Sequence, residues 1–302
     1  KAPRKPQHFE RGGTPLRSSL RSARGHAFVA IGHSAGLALG EPETSAPHAS
    51  DPQSRAEAMR ADRDGWTSAE QKELSNHTRN ESWSAVPRDQ VPAGRKLVKL
   101  VWVYKVKRDG SLKARLCVQG CAQVPGVDYQ QTFCAAMRPS TLRVLSALAA
   151  RFGYGMRRWD FVSAYLQGEL EEGEVVYCYP PPGHPLAGDP NLVCRVQKPI
   201  YGMAQAGRRW QRSIFPWFEK HGFKQLSTDN CVFTRRETRK LPGGGTRDET
   251  LIIGCYVDDL FILYSHDDEH SLYKDFVGEL TQSWNAEDEG EVADLLNVEI
   301  SN

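Results

Sequence analysis

The stretch from Leu251 to Ser265 reads Leu-Ile-Ile-Gly-Cys-Tyr-Val-Asp-Asp-Leu-Phe-Ile-Leu-Tyr-Ser. Leu251, Ile252, Ile253 and Cys255 precede the two acids, and Leu260, Phe261, Ile262, Leu263 and Tyr264 follow them. Both arms are rich in β-branched and aromatic residues, apolar on both faces and too short for two helices, so they read as two buried strands. Asp258 and Asp259 fall at the turn between them. Burying two adjacent carboxylates without partners costs several kcal/mol each, so a hairpin that carries both at its tip calls for cations nearby. A hard divalent ion such as Mg²⁺ supplies that: it takes oxygen ligands, usually one or two protein carboxylates with phosphates and water completing its shell. Asp-Asp is also a common turn dipeptide, because Asp accepts local backbone hydrogen bonds and tolerates unusual backbone angles. The hairpin alone leaves both readings open.

Outward from the hairpin, the chain alternates strands and helices. Met156–Gly168 reads as a short strand running into Asp160 and turning into a small helix that bears Tyr165; an Asp in that place is ordinarily a cap, yet it is also what a site shared with the hairpin requires. Pro139–Phe152 has Leu142, Leu145, Leu148 and Ala149 at helical spacing, with Ser140 or Thr141 as N-cap and Gly153 just past its end. Leu97–Val106 and Leu112–Val118 read as strands joined by an Arg108-Asp109-Gly110 turn. On that basic two-stranded finger, Lys105, Lys107, Lys113 and Arg115 alternate and so share a face. A charged exposed hairpin is usually a protected sheet edge. A polar helix is expected over Ala56–Leu74, with Met59, Trp66 and Leu74 as its apolar contacts. Short strands are expected at Val175–Tyr179 and Leu192–Val196, and a helix over Ala204–His221 with Trp210, Ile214, Trp217 and Phe218 inward and a kink at Pro216. Cys231–Thr234 reads as a strand, Asp267–Thr281 as a helix and Ala293–Ile300 as a last apolar element. The fold class is α+β: an antiparallel sheet carrying the acidic hairpin, backed by helices.

The 302 residues suffice for one large or two modest domains. Net charge is only +2 but unevenly spread. Between Arg95 and Gly120 eight Lys or Arg stand against Asp109, and between His266 and Asn302 eleven Asp or Glu stand against Lys274. The basic stretch is where phosphate contacts are expected and the acidic end a solvated surface. Residues 1–55 are rich in Arg, Pro, Gly, Ser and His and read as a disordered basic spacer. Seven irregularly spaced cysteines, without a secretory signal, point to reduced thiols. The apolar run from Ala27 to Gly40 is too short to span a bilayer, and no membrane association is expected.

Asp160 with Asp258 and Asp259 on neighbouring strands of one sheet would suit a two-metal site, in which two cations about 3.5 to 4 Å apart stabilise the attacking and leaving oxygens of a phosphoryl displacement. Basic residues on a separate hairpin would neutralise the polyphosphate. A purely structural or protein-binding module would instead leave Asp160 far from the hairpin.

These residues resemble the reverse transcriptase of copia-type LTR retrotransposons from about Ala56 to Ser301. The matching stretches are Trp102-Val103-Tyr104-Lys105-Val106-Lys107 with Asp109-Gly110, Lys113-Ala114-Arg115-Leu116, and Gly126-Val127-Asp128-Tyr129 with Thr132-Phe133. They continue with Trp159-Asp160 to Ala164-Tyr165-Leu166, Leu170-Glu171-Glu172, Tyr201-Gly202 with Gln205-Ala206, Trp210, Gly222-Phe223 and Tyr256-Val257-Asp258-Asp259. Each is a modest signal; their order and spacing together are specific.

The resemblance implies a right-hand polymerase, with fingers at about 56–155 and 170–210, palm at about 156–169 and 211–302, and the thumb largely missing. Asp160, Asp258 and Asp259 match the carboxylates that hold two Mg²⁺, with Mn²⁺ as a substitute. Tyr165 matches the aromatic under the incoming sugar that excludes a 2′-hydroxyl. Gln205 and Tyr256 match residues close to the nucleotide, and Lys113 and Arg115 lie where the triphosphate is expected. The implied activity is RNA-directed DNA polymerisation; the alternative is an inactive relic that binds nucleic acid without polymerising. Implied partners are an RNA or DNA template with primer, deoxynucleoside triphosphates, and the RNase H and integrase parts of a parent polyprotein. The implied setting is the cytoplasm, inside a virus-like particle, or the nucleus. Gln119 stands where the family usually has Lys and Gly207 where Pro is usual, as in a drifting copy, and the chain looks like a polyprotein fragment.

Overall fold

The computed structural model describes residues 51–107 and 109–292, and beyond them the backbone of two short paired strands, Asp294–Leu295 and Val298–Glu299. The spacer expected over residues 1–55 therefore lies almost entirely outside the described residues, as does most of the apolar element expected at Ala293–Ile300. Residues 51–55 are already tied to the folded chain: Asp51 is buried and its Oδ1 accepts from the Val106 N–H at 2.9 Å.

In chain order the elements are α1 (Arg55–Ala61), α2 (Arg63–Arg79), β1 (Trp83–Pro87), β2 (Leu97–Val98), β3 (Leu100–Val106), β4 (Leu112–Val118), α3 (Pro139–Phe152), β5 (Gly155–Phe161), β6 (Tyr177–Cys178) and β7 (Leu192–Val196). There follow α4 (Ala206–Lys220), β8 (Lys224–Gln225), β9 (Val232–Lys240), β10 (Thr246–Tyr256), β11 (Asp259–Tyr264), α5 (Leu272–Ser283) and β12 (Ala286–Glu291). The mixed α+β class is as expected, and the hairpin Leu251–Ser265 sits at its centre as the β10–β11 pair.

The main sheet has six strands in the order β12-β5-β11-β10-β9-β8, each antiparallel to its neighbours. Alternation along the central strands sends their apolar residues to two different cores. On one face Trp159, Phe161, Leu251, Ile253, Leu260 and Ile262 cluster with Trp210, Ile214 and Phe218 of α4 and Leu272, Phe276 and Leu280 of α5. On the other, Ile252, Phe261 and Leu263 cluster with Leu142, Leu145 and Ala149 of α3. This double coverage is why the hairpin arms read as continuous apolar runs. Gly254 makes the second contact possible: a Cβ there would stand 2.5 Å from Met137 Sδ.

A second sheet, β1-β7-β6-β2, contains one parallel pair, β2–β6. The β3–β4 hairpin stands apart as a two-stranded ribbon. Its apolar face, with Tyr104, Ala114 and Leu116, lies against α2: Trp66 meets Tyr104 edge-on at 5.1 Å, the Tyr104 hydroxyl donates to Glu70 at 2.5 Å, and the Leu116 N–H donates to Glu73 at 3.1 Å. The opposite face carries Lys105 directly across from Lys113, and Arg115 across from Val103. The alternation of basic residues therefore does place them together.

Several boundaries differ from the sequence reading for identifiable reasons. The helix expected over Ala56–Leu74 is two helices, because Asp62 ends α1 and its carboxylate accepts from the Gly65 N–H at 2.9 Å to start α2. Neither Ser140 nor Thr141 caps α3. Pro139 is its first residue, and Asp229, ninety residues on, accepts from the Arg138 N–H (3.1 Å) and the Thr141 hydroxyl (2.6 Å). Strand β9 and strand β10 run well past Cys231–Thr234 and Leu251–Tyr256 into charged sequence, where Arg235, Arg236, Glu237, Thr238 and Arg239 pair across to 247–251. Helix α5 begins at Leu272, capped by Ser271. The polar strand β12 has no apolar alternation to announce it; it forms because it docks on the edge of β5.

Candidate active site

Strand register assembles the site. Asp259 is the first residue of β11 and pairs directly with Asp160 of β5; Tyr256 pairs with Asp259 from β10, and Glu287 with Asp160 from β12. Directly opposed residues point to the same side of a sheet, so Tyr256, Asp259, Asp160 and Glu287 form one row across four strands. Asp160 is thus adjacent to the hairpin, against the expectation for a purely structural module. Asp258 occupies the turn, and its carbonyl accepts from the Phe161 N–H at 3.0 Å, which fastens the tip to the end of β5.

The tip is held in a costly conformation. Val257, the first of the two loop residues, has φ +59°, a position that hairpins of this kind usually give to Gly. A β-branched residue there is a genuine outlier, of order 1–3 kcal/mol. It persists because Val257 is buried and its carbonyl accepts the Trp210 indole N–H at 2.6 Å. Ser163, between Asp160 and Tyr165, also has positive φ, +55°, as the chain turns from β5 into the 3-10 turn Ala164–Gln167.

Charge in the row is crowded. The Asp160 carboxyl is pushed up to about 7, first by burial and then by the Asp259 carboxylate, with Glu289 adding to the rise and Lys113 and Arg115 opposing it. The Lys113 and Arg115 charges thus bear on Asp160: the basic face of the β3–β4 ribbon looks onto the acid row. Burial and Asp259 also raise the Tyr256 hydroxyl. Arg158, two residues before Asp160, is bound to Asp259 at 2.9 and 3.0 Å.

Tyr165 is buried and packs on Tyr201, ring centroids 4.6 Å apart at 48°, while the Arg115 guanidinium lies 4.8 Å from the Tyr201 ring centre. Tyr201 is locked to the ribbon through its carbonyl, which accepts from the Val118 N–H at 2.7 Å. Gly202, at φ +84°, is required there because a Cβ would meet the Val118 carbonyl oxygen at 2.2 Å.

Gln205 is packed inside the fold next to the 123–128 loop. Its side chain is fully buried, donates to the Asp128 carbonyl at 3.1 Å and accepts from the Gln123 amide at 3.1 Å. Gln205 thereby braces the 123–128 loop. Sequence reading also passed over Arg158, although the two-residue period of a strand places it on the Asp160 face.

Among the described residues, no three His, Cys, Asp or Glu side chains are gathered so as to hold a metal ion. Two hard carboxylate donors, Asp160 and Asp259, stand directly opposite each other in register, and burial together with the Asp259 charge raises Asp160. That pair fits a Mg²⁺ or Mn²⁺ ion whose shell is completed by phosphate and water. No helix among the described residues is long and apolar enough to cross a membrane, and none of the seven cysteines forms a disulfide among the described residues.

The fold and site define an α+β protein with a strained acidic hairpin, a second acid beside it and a basic ribbon opposite. The sequence profile of the reverse transcriptase (RNA-dependent DNA polymerase) family matches residues 80–302, and the chain belongs to that family. It is 32% identical over 224 residues to the retrovirus-related Pol polyprotein from transposon RE2 of Arabidopsis thaliana, covering 72% of this chain and 14% of that protein. It is 28% identical over 237 residues to the corresponding polyprotein from transposon TNT 1-94 of Nicotiana tabacum, covering 77% of this chain and 17% of that protein. The transposon Ty1-LR2 Gag-Pol polyprotein of Saccharomyces cerevisiae is 27% identical over 179 residues, 57% of this chain and 9% of that protein. The copia-type resemblance is therefore borne out, and the chain spans less than a fifth of the length of these relatives.

Proposed function

We propose that this chain is the polymerase segment of a retrotransposon Pol polyprotein and catalyses RNA-directed DNA synthesis. The observation that carries this reading is the direct register pairing of Asp160 with Asp259, in front of Lys113 and Arg115. On this reading the six-stranded sheet is the palm and the β3–β4 ribbon with α1 and α2 belongs to the fingers; α3 goes with the sheet it covers. Asp160, Asp258 and Asp259 would hold a pair of Mg²⁺ or Mn²⁺ ions, which when bound supply charge stabilisation for attack of a primer 3′-hydroxyl on an α-phosphate. Lys113 and Arg115 would neutralise the triphosphate of the incoming deoxynucleotide, and Tyr165, braced by Tyr201, would floor its sugar. The template and primer, an RNase H and integrase from the same polyprotein, and a cytoplasmic particle or the nucleus complete the proposal.

Primer extension on an RNA template with the 302-residue chain tests it. Mg²⁺-dependent extension by the wild type, reduced at least about a thousandfold in Asp258→Ala, is expected for loss of a metal-holding carboxylate. Equal extension by both would end the enzyme reading. A second reading, binding of nucleic acid without polymerisation, draws on the basic face that Lys105, Lys113 and Arg115 share on the β3–β4 ribbon. It predicts template–primer binding by both proteins and extension by neither.

A further inference from the structure

The acid row carries a cation of its own. Arg158 lies on the Asp160 face of β5, opposite Phe261. Its Nη2 and Nε stand 2.9 and 3.0 Å from a single oxygen, Oδ1, of Asp259. The Asp259 side chain is 6% exposed and that of Arg158 33%, so the guanidinium reaches from the solvent side onto a buried carboxylate. Glu289 and Asp160 attract the same guanidinium. Glu289 is the extra residue at the irregularity between Asp288 and Gly290, where β12 passes Arg158. Guanidinium donors and a hard divalent ion compete for the same carboxylate lone pairs.

We propose that Arg158 is a resident counter-cation of the metal site, a positioning residue that holds Asp259 beside Asp160 and must give up Oδ1 before a divalent ion can take it. The proposal rests on reading Asp160 and Asp259 as metal ligands. Glu289 takes the released guanidinium. Arg158 thereby lowers metal affinity while keeping the two carboxylates in register. An ion pair of purely structural value would behave differently: its removal would lower stability without tightening metal binding.

The test uses the whole chain without nucleotide, measuring free Mn²⁺ by electron paramagnetic resonance at low ionic strength. Arg158→Gln is expected to bind Mn²⁺ roughly tenfold more tightly than wild type, because one positive charge leaves the ligand's immediate surroundings. Arg158→Lys, which keeps the charge, is expected to stay within about threefold of wild type. Affinity of Arg158→Gln equal to or below wild type overturns the proposal. Asp160→Asn separates the two levels of inference. If it abolishes Mn²⁺ binding while Arg158→Gln changes nothing, only the role of Arg158 falls; if it leaves binding intact, the metal-site reading falls and the role of Arg158 with it. Should Arg158→Gln fail to fold by circular dichroism, the wild-type Arg158 Nε–H resonance decides. It is expected to shift as Mg²⁺ is added, and an unmoved resonance overturns the proposal.

Discussion

Asp160 is the residue on which the electrostatics of the site turn. Its carboxyl, near 7, lies above the ordinary carboxylate value of 3.8, so the folded chain binds this proton more tightly than the unfolded chain. Its contribution to stability is therefore full below about 4 and is lost as pH rises through 7. The metal-free wild type is expected to lose melting temperature between pH 5 and pH 8 by more than Asp160→Asn does, in calorimetry at low ionic strength. An offset between the two proteins that is the same at both pH values would remove Asp160 as the source. Tyr165 is the other residue with a role of its own to test. Backed by Tyr201 and, through it, Arg115, it has little room to give way. Tyr165→Val is expected to lose roughly tenfold or more of the discrimination against ribonucleotides, measured by competitive incorporation.

At the scale of elements, the acidic hairpin is a turn whose conformation is imposed from outside. Val257 at φ +59° is held by the α4 indole of Trp210 and the end of β5, with only a weak local donor, the Cys255 thiol, 3.8 Å from its carbonyl oxygen. Trp210→Phe keeps most of the ring volume but leaves the Val257 carbonyl only the weak Cys255 thiol as donor. A loss of about 1–3 kcal/mol is expected, read as a lower denaturant midpoint, together with slower primer extension as the tip relaxes. Unchanged stability would show that the turn holds itself. The 201–205 segment works in the same way on the ribbon side. Gln205→Ala strips the Asp128 carbonyl and the Gln123 amide of their buried partner. It is expected to cost about 1–3 kcal/mol while leaving the KM for deoxynucleotide within about twofold, since Gln205 shows no surface to the cleft. A large rise in KM with intact stability would restore the direct contact.

For the molecule as a whole, the site is where three separately built pieces meet. The six-stranded sheet supplies the acids, the β3–β4 ribbon the basic face, and the turn at 201–202 the aromatic that joins Tyr165, just past β5, to Arg115 of the ribbon. No piece carries the site alone. The ribbon and the 201–202 turn meet through a backbone contact too close for any residue but glycine at 202, so the placement of that turn on the ribbon is steric as well as electrostatic.

The sequence by itself determined the parts whose cause is local. Apolar runs on both sides of Asp258-Asp259, helical spacing in Pro139–Phe152 and alternation of Lys and Arg along 105–115 each follow from a residue's own periodicity. They sufficed for the fold class and the acidic hairpin, whereas the family rested on the resemblance of the ordered stretches from Trp102–Lys107 to Tyr256–Asp259. Only the tertiary structure decided what depends on a distant partner: Asp229 capping α3, charged residues extending β9 and β10, and the polar strand β12. It also decided the pairing of Asp160 with Asp259, the burial of Gln205 and the Arg158 clamp. Periodicity shows which side of an element a side chain takes, whereas burial, hydrogen bonding and charge are set by whatever the rest of the chain places against that side.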